Sequence, residues 1–238
     1  MSTSASPPVF NLNLNDLIEE AFERAGAEVR TGYEFRTARR SLNLMFAEWA
    51  NRGINLWTVE QGTVALNAGQ ATYNLPVDTV DLLEQVIRTN AGTATQSDIV
   101  ISRISVSTYA SLPNKTTTGR PIQIYVNRLS GATSSLAVVQ NPTFTTWPVT
   151  NVSNTYQLIY WRLRRMLDAG TGVNTQDVPF RFLPAMVAGL AYYVALKIPD
   201  SMPRLPMLKE MYDEAWQAAA DEDREKASMM IVPRQMYI

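Results

Sequence analysis

Between Phe35 and Trp57 the apolar residues Phe35, Ala38, Leu42, Met45, Phe46 and Trp49 recur at three- and four-residue steps, which places them on one stripe of an α-helix. Arg36, Arg39, Arg40, Asn43 and Glu48 mostly fall off that stripe. Asn51, Arg52 and Gly53 form the stop, because glycine takes the left-handed conformation after a helix without steric cost. So apolar a stripe must be buried, and Phe46 and Trp49 read as core. Upstream, Asn13 or Asn15 caps a shorter helix with Asp16, Glu19 and Glu20 in its early turns; Leu17, Ile18, Ala21, Phe22 and Ala25 form its apolar face, and Gly26 ends it. Leu14 to Gly53 is then a helical hairpin. Residues 1–9 are rich in Ser, Thr and Pro and take no predicted element.

After Gly53 the period shortens to two. Leu56 to Glu60 and Thr63 to Leu66 read as strand, Gln70 to Leu75 as a second strand ended by Pro76, and Leu82 to Thr89 as a third. Asn90 to Ser97 is loop-like. Ser105 caps a short helix that turns Val106, Tyr109 and Leu112 inward, and Leu112 to Pro121 is an exposed loop. Ile122–Asn127 and Leu136–Gln140 read as strands joined by a turn at 129–135, and Tyr156–Arg164 is the strongest strand of the chain.

From Pro179 the helical period returns. Phe182, Leu183, Met186, Val187, Leu190, Tyr193, Val194 and Leu196 make a helix apolar on most sides, expected at the centre of a helical layer. Asp200 to Pro206 breaks it, and Met207 to Ala227 forms a last helix with Leu208, Met211, Tyr212, Ala215, Trp216 and Ala219 inward. The run Asp221 to Lys226 reads as a solvated face. Met229 to Ile238 is then anomalous, since seven of its ten residues are apolar beyond a charged helix end; burial in a partner explains it.

Composition narrows the chemistry. With 238 residues and 46% hydrophobic content the chain can bury a sizeable core. Its net charge of −1 argues against a dedicated nucleic-acid binder. It has neither cysteine nor histidine, which removes disulfides, thiolate and imidazole metal ligands, and the nucleophilic triads built on either residue. No apolar run is long enough to span a bilayer. Glycine-rich phosphate loops are absent, and the carboxylate clusters Asp81/Glu84 and Asp221 to Glu225 lack calcium-loop spacing. No catalytic, cofactor or metal residue is assigned. Arg39/Arg40 and Arg162/Arg164/Arg165 suit ion pairs between subunits better than nucleic acid, given the overall charge.

The segments ARRSLNLMFAEWANRGINLW (Ala38–Trp57), YNLPVDTVDLLEQVI (Tyr73–Ile87), ISRISVSTYASLPNKTTTGRPIQIYVNR (Ile101–Arg128), YQLIYWRLRRMLDAG (Tyr156–Gly170) and LPAMVAGLAYYVALKIP (Leu183–Pro199) follow one another in an order that gives the chain its family likeness. Across nearly its whole length it resembles the head-to-tail adaptor (connector) proteins of short-tailed phages, the tail tubular protein A type. The extended apolar C-terminus departs from the pattern. The resemblance implies an α+β fold in which N- and C-terminal helices form a four-helix bundle with an inserted antiparallel β-domain. The expected divisions are 1–55, 56–166, 167–228 and a partner-docking tail at 229–238. It further implies a homo-oligomeric ring of twelve copies in the virion, assembled in the host cytoplasm and seated between the portal protein and the tail nozzle protein. Genomic double-stranded DNA would pass through without sequence recognition, and no membrane is involved.

On this reading Met229, Met230, Ile231, Val232, Pro233, Met236, Tyr237 and Ile238 are portal-docking residues, while Asn114, Lys115, Arg120, Arg39 and Arg40 contact neighbouring subunits or the nozzle. The alternatives are a virion-borne peptidoglycan hydrolase using carboxylates such as Glu48 or Glu60, which needs no histidine, and a DNA-binding module.

Overall fold

The structure, a computed structural model, describes residues 10–53, 56–128 and 141–223. In chain order its elements are α1 (Leu14–Ala25), α2 (Gly32–Asn51), β1 (Val59–Ala65), β2 (Thr72–Asn74), β3 (Thr79–Thr89), β4 (Ser97–Val100), β5 (Ser102–Ile104), α3 (Val106–Ser111), β6 (Gln123–Asn127), β7 (Thr143–Trp147), β8 (Tyr156–Arg164), α4 (Leu183–Ala195) and α5 (Leu205–Glu222). They divide into a helical unit, Met1–Leu56 with Leu167–Ile238, and a β unit, Trp57–Met166. The fold is thus mixed α+β.

In the helical unit the caps follow from side-chain chemistry. Asn13 Oδ1 accepts from the Asp16 amide at 2.9 Å, and Gly26 closes α1 at φ +79°. α2 starts at Gly32, earlier than the apolar stripe suggests, because Thr31 and Glu34 form a reciprocal capping box. α4 buries ten of its thirteen residues and packs against α1, α2 and α5. Trp49 is fully buried, with its ring centroid 4.7 Å from that of Trp216 and 5.7 Å from that of Phe182. Its Nε1 donates to Tyr212 Oη at 2.8 Å, which satisfies the one polar atom such a ring carries into the core. Close packing leaves no room at Gly189, where an added Cβ would lie 2.5 Å from Met45 Sδ and 2.8 Å from Tyr212 Cε2.

The β unit holds two four-stranded sheets, ordered β1-β8-β3-β4 and β2-β7-β6-β5. Both contribute to one core, with Ile87, Leu158 and Tyr160 from the first sheet and Tyr73, Ile124 and Phe144 from the second. Arg162, almost fully buried on β8, is neutralised from two sides: Nη1 lies 2.7 Å from Asp78 Oδ1 and Nη2 lies 2.8 Å from Glu60 Oε2. Glu60 also takes Arg164 Nε at 2.7 Å. Arg162 and Arg164 are therefore ion-pair partners within their own unit, not free cations for a neighbour.

Several expectations need correction. The β unit is not wholly antiparallel, because β5 runs parallel to β6, with α3 lying in the crossover between them. Leu56–Thr58 is a 3-10 turn, and the first strand begins only at Val59. The alternation of apolar and polar residues predicts no strand at β4, β5 or β7, all three of which the fold contains. Val106 is exposed rather than inward, as is Met211. α5 runs from Leu205 to Glu222. In the supposedly solvated run, Asp223 is buried: it accepts from the Leu56 amide at 3.0 Å and pairs with Arg181 at 2.8 Å. The expected turn at 129–135 and strand at 136–140 lie outside the described residues.

Two outcomes follow for stability. Gly189→Val should overpack the junction of α4 with Met45 and Tyr212 and cost about 1–3 kcal/mol in urea unfolding; an unchanged midpoint would show that the junction yields freely. The hydrogen bond from Arg162 holds the Asp78 carboxyl below its ordinary value. Its stabilisation is full above that ordinary value and is lost as pH falls through the lower folded one. Wild type should accordingly exceed Asp78→Asn in stability near neutral pH, with the gap closing in acid; a gap constant across pH contradicts the assignment.

Candidate interaction surfaces

α2 buries Ala38, Ser41, Leu42, Met45, Phe46 and Trp49, so its opposite side carries Tyr33, Arg36, Arg40 and Leu44, all exposed. Arg39 lies on the flank of that side. Among the described residues Arg36, Arg39 and Arg40 make no ion pair. The charge is felt nearby: Lys197, hydrogen-bonded to Ser41 Oγ at 2.6 Å, is pulled below the usual lysine range by burial and then by Arg40. Arg52, at the other end of α2, is spent internally. Its guanidinium lies 5.0 Å from the ring centroids of both Tyr212 and Trp216 and donates from Nε to Glu48 Oε1 at 3.0 Å. Tyr193 also donates to Glu48. Burial first, and this hydrogen bond second, raise the Tyr193 phenol above its ordinary value, while burial pushes Tyr212 up to about 12.

The two carboxylates considered for hydrolysis thus have structural occupations, Glu48 with Arg52 and Tyr193, Glu60 with Arg162 and Arg164. Among the described residues no group of three acidic side chains is placed to hold a metal ion, and no helix is long and apolar enough to cross a membrane.

The loop Leu112–Pro121 is exposed yet ordered by its own bonds. Lys115 Nζ donates to the carbonyls of Ala110 and Leu112 at 3.3 and 3.1 Å, closing the C-terminal end of α3, and lies 5.5 Å from the Tyr109 ring centroid. Tyr109 in turn stacks on Tyr125 of β6 at 5.0 Å. Asn114 Oδ1 accepts from the Thr116 amide at 3.0 Å, and its carbonyl accepts from Trp147 Nε1 at 3.0 Å. Lys115 and Asn114 therefore shape the loop. Arg120 is exposed and unpaired among the described residues, so of the loop's own three expected contact residues it is the one with a free side chain, as Arg39 and Arg40 are on α2.

A surface that sequence reading missed is a groove of about 750 Å³ in the helical unit, lined by Phe10, Leu12, Phe180, Leu183, Pro184 and Val187 with the Glu20–Arg24 ion pair. Phe10 and Phe180 are 77% and 78% exposed. Their separation in sequence hides the pairing; the only local signal is a phenylalanine ahead of each of two helices, Phe10 before α1 and Phe180 before α4. Met229, Met230, Ile231, Val232, Pro233, Met236, Tyr237 and Ile238 lie outside the described residues.

None of these surfaces brings together a nucleophile, base and oxyanion donor; what they offer is unpaired charge, ordered loop and exposed apolar area. The family profile described as SU10 adaptor protein matches residues 12–235. The chain belongs to the SU10 adaptor protein family. It is accordingly a phage structural adaptor, a virion component that works with other head and tail proteins. No curated protein matches it. Within this adaptor, the loop assignment makes a direct expectation. Lys115→Met should speed amide exchange at 109–117 several-fold while leaving global stability within about 0.5 kcal/mol; unchanged exchange would mean that the lysine does not hold the loop.

Proposed function

We propose that this adaptor is of the short-tailed phage type and forms a ring, of twelve copies, that joins the portal to the tail nozzle and lets genomic DNA through during packaging, retention and ejection. The observation that carries the reading is the family match over residues 12–235. In this arrangement the helices α1, α2, α4 and α5 act as a four-helix bundle and residues 56–166 as the inserted domain, with assembly taking place in the host cytoplasm.

Residues 229–238 are the portal-docking segment, anchored by Ile231, Val232, Met236 and Tyr237. The family match reaches residue 235 and so takes in most of that segment; its apolar composition supports burial in a partner. The loop at 112–121, pre-ordered by Lys115 and Asn114, suits contact with a neighbouring copy or the nozzle through Arg120, since an ordered loop loses little entropy on binding. A near-neutral chain also suits a channel that DNA must slide through without being held.

Light scattering on the protein mixed with its cognate portal ring tests this directly. The expected result is one large particle with the full chain and no co-elution after deletion of residues 229–238, the deleted protein keeping its helical circular dichroism. Undiminished docking of the deleted protein would remove the role given to the tail, and a full chain that ignores the portal would remove the adaptor-ring reading.

A further inference from the structure

The helical unit carries two exposed helix faces of opposite charge. On α2, the side opposite the buried stripe presents Tyr33, Arg36 and Arg40, with Leu44 one turn further on. On α5, where Leu208, Tyr212 and Ala219 face inward, the opposite side presents Glu210 and Glu214, with exposed Met207 and Met211 along its edge. Neither glutamate nor either arginine has an ion-pair partner among the described residues. Each face also leaves large apolar groups in solvent, Tyr33 at 69% and Leu44 at 58% on one, Met207 at 53% and Met211 at 40% on the other.

The spacing matches as well as the sign. Tyr33, Arg36 and Arg40 are separated by three and then four residues, and so are Met207, Glu210 and Glu214. At about 1.5 Å rise per residue, a parallel alignment sets Tyr33 beside Met207, Arg36 beside Glu210 and Arg40 beside Glu214. Leu44 then falls over exposed Ala218. One chain cannot make this contact with itself, because both faces point away from the shared core around α4.

We infer that the subunit contact of the ring is this one: the outer face of α2 in one copy packs in parallel on the outer face of α5 in the next. Because the two faces are different patches of the same chain, the contact is head-to-tail and propagates from copy to copy, as a closed ring requires. The apolar residues give buried area and the charge pairs set the register and reject a like face. The inference rests on the ring reading above and specifies its interface.

Charge exchange tests it with the full-length chain. R36E/R40E gives a copy with two acidic faces, and E210R/E214R a copy with two basic ones; all four positions are exposed, so both variants keep the wild-type circular dichroism. With the portal ring present, each variant alone should lose assembly at least tenfold by light scattering. An equimolar mixture of the two should recover it through alternating copies, as should the fourfold variant carrying both exchanges. Wild-type rings that form while both variants assemble equally well would overturn this interface and leave the adaptor reading standing, as would loss in the single-face variants with no recovery in the mixture. Wild-type protein that forms no ring with the portal would instead overturn the ring reading itself.

Discussion

A helix that is apolar nearly all the way round cannot rest on a surface, and α4 is such a helix: Leu183, Ala185, Met186, Val187, Ala188, Leu190 and Ala191 leave almost no side to give to water. Covering it takes α1 and α2 from one end of the sequence and α5 from the other. The small residues of α4, above all Gly189 beneath Met45 and Tyr212, let those neighbours approach closely. Trp49 then locks α2 to α5 through its hydrogen bond to Tyr212 and its tilted ring contact with Trp216. Each fully buried leucine-sized side chain contributes about 1.5–3 kcal/mol, and most of that area exists only once every covering helix is in place.

Charge is distributed so that the core requirement and the surface do not conflict. Cations that enter low-dielectric surroundings are paired inside their own unit, as Arg162 is with Asp78 and Glu60 and as Arg181 is with buried Asp223, since an unpaired buried charge would cost several kcal/mol. Arg52 is held between aromatic rings and Glu48. Unpaired charge on the outer sides of α2 and α5, like that of Arg120 in the β unit, stays in solvent, where it costs little.

Sequence reading did best where one local rule decided the outcome. Asn13, Gly26 and Ser105 act as the caps their chemistry suggests, β8 spans Tyr156–Arg164 as its alternation indicated, and α4 is as buried as its composition demanded. It failed where a partner distant in sequence decides. β5 is three residues long and is a strand only because Gln123–Tyr125 lies beside it. β7 is rich in threonine and carries little apolar contrast, yet Thr145, Thr146 and Phe144 are all buried because β2 and β6 flank it. Asp223 looks like one more charge in a solvated run until Arg181 and the Leu56 amide reach it. Of the surface residues, the free cations of α2 were legible from the helical wheel, whereas the internal use of Lys115 and Asn114 depends on three-dimensional closure of their own loop.

The order in which the ribosome delivers these elements has its own consequence. The α1–α2 hairpin emerges with Leu42, Met45 and Trp49 made but their principal cover, α4, still about 130 residues away. At about 5–20 residues per second that is roughly 7–26 s, during which Trp57–Met166 is made in full with its own core. The nascent chain thus holds a finished β unit beside an open apolar stripe, and a pause in synthesis between Met166 and Leu183 would prolong the interval in which that stripe is most exposed to wrong partners.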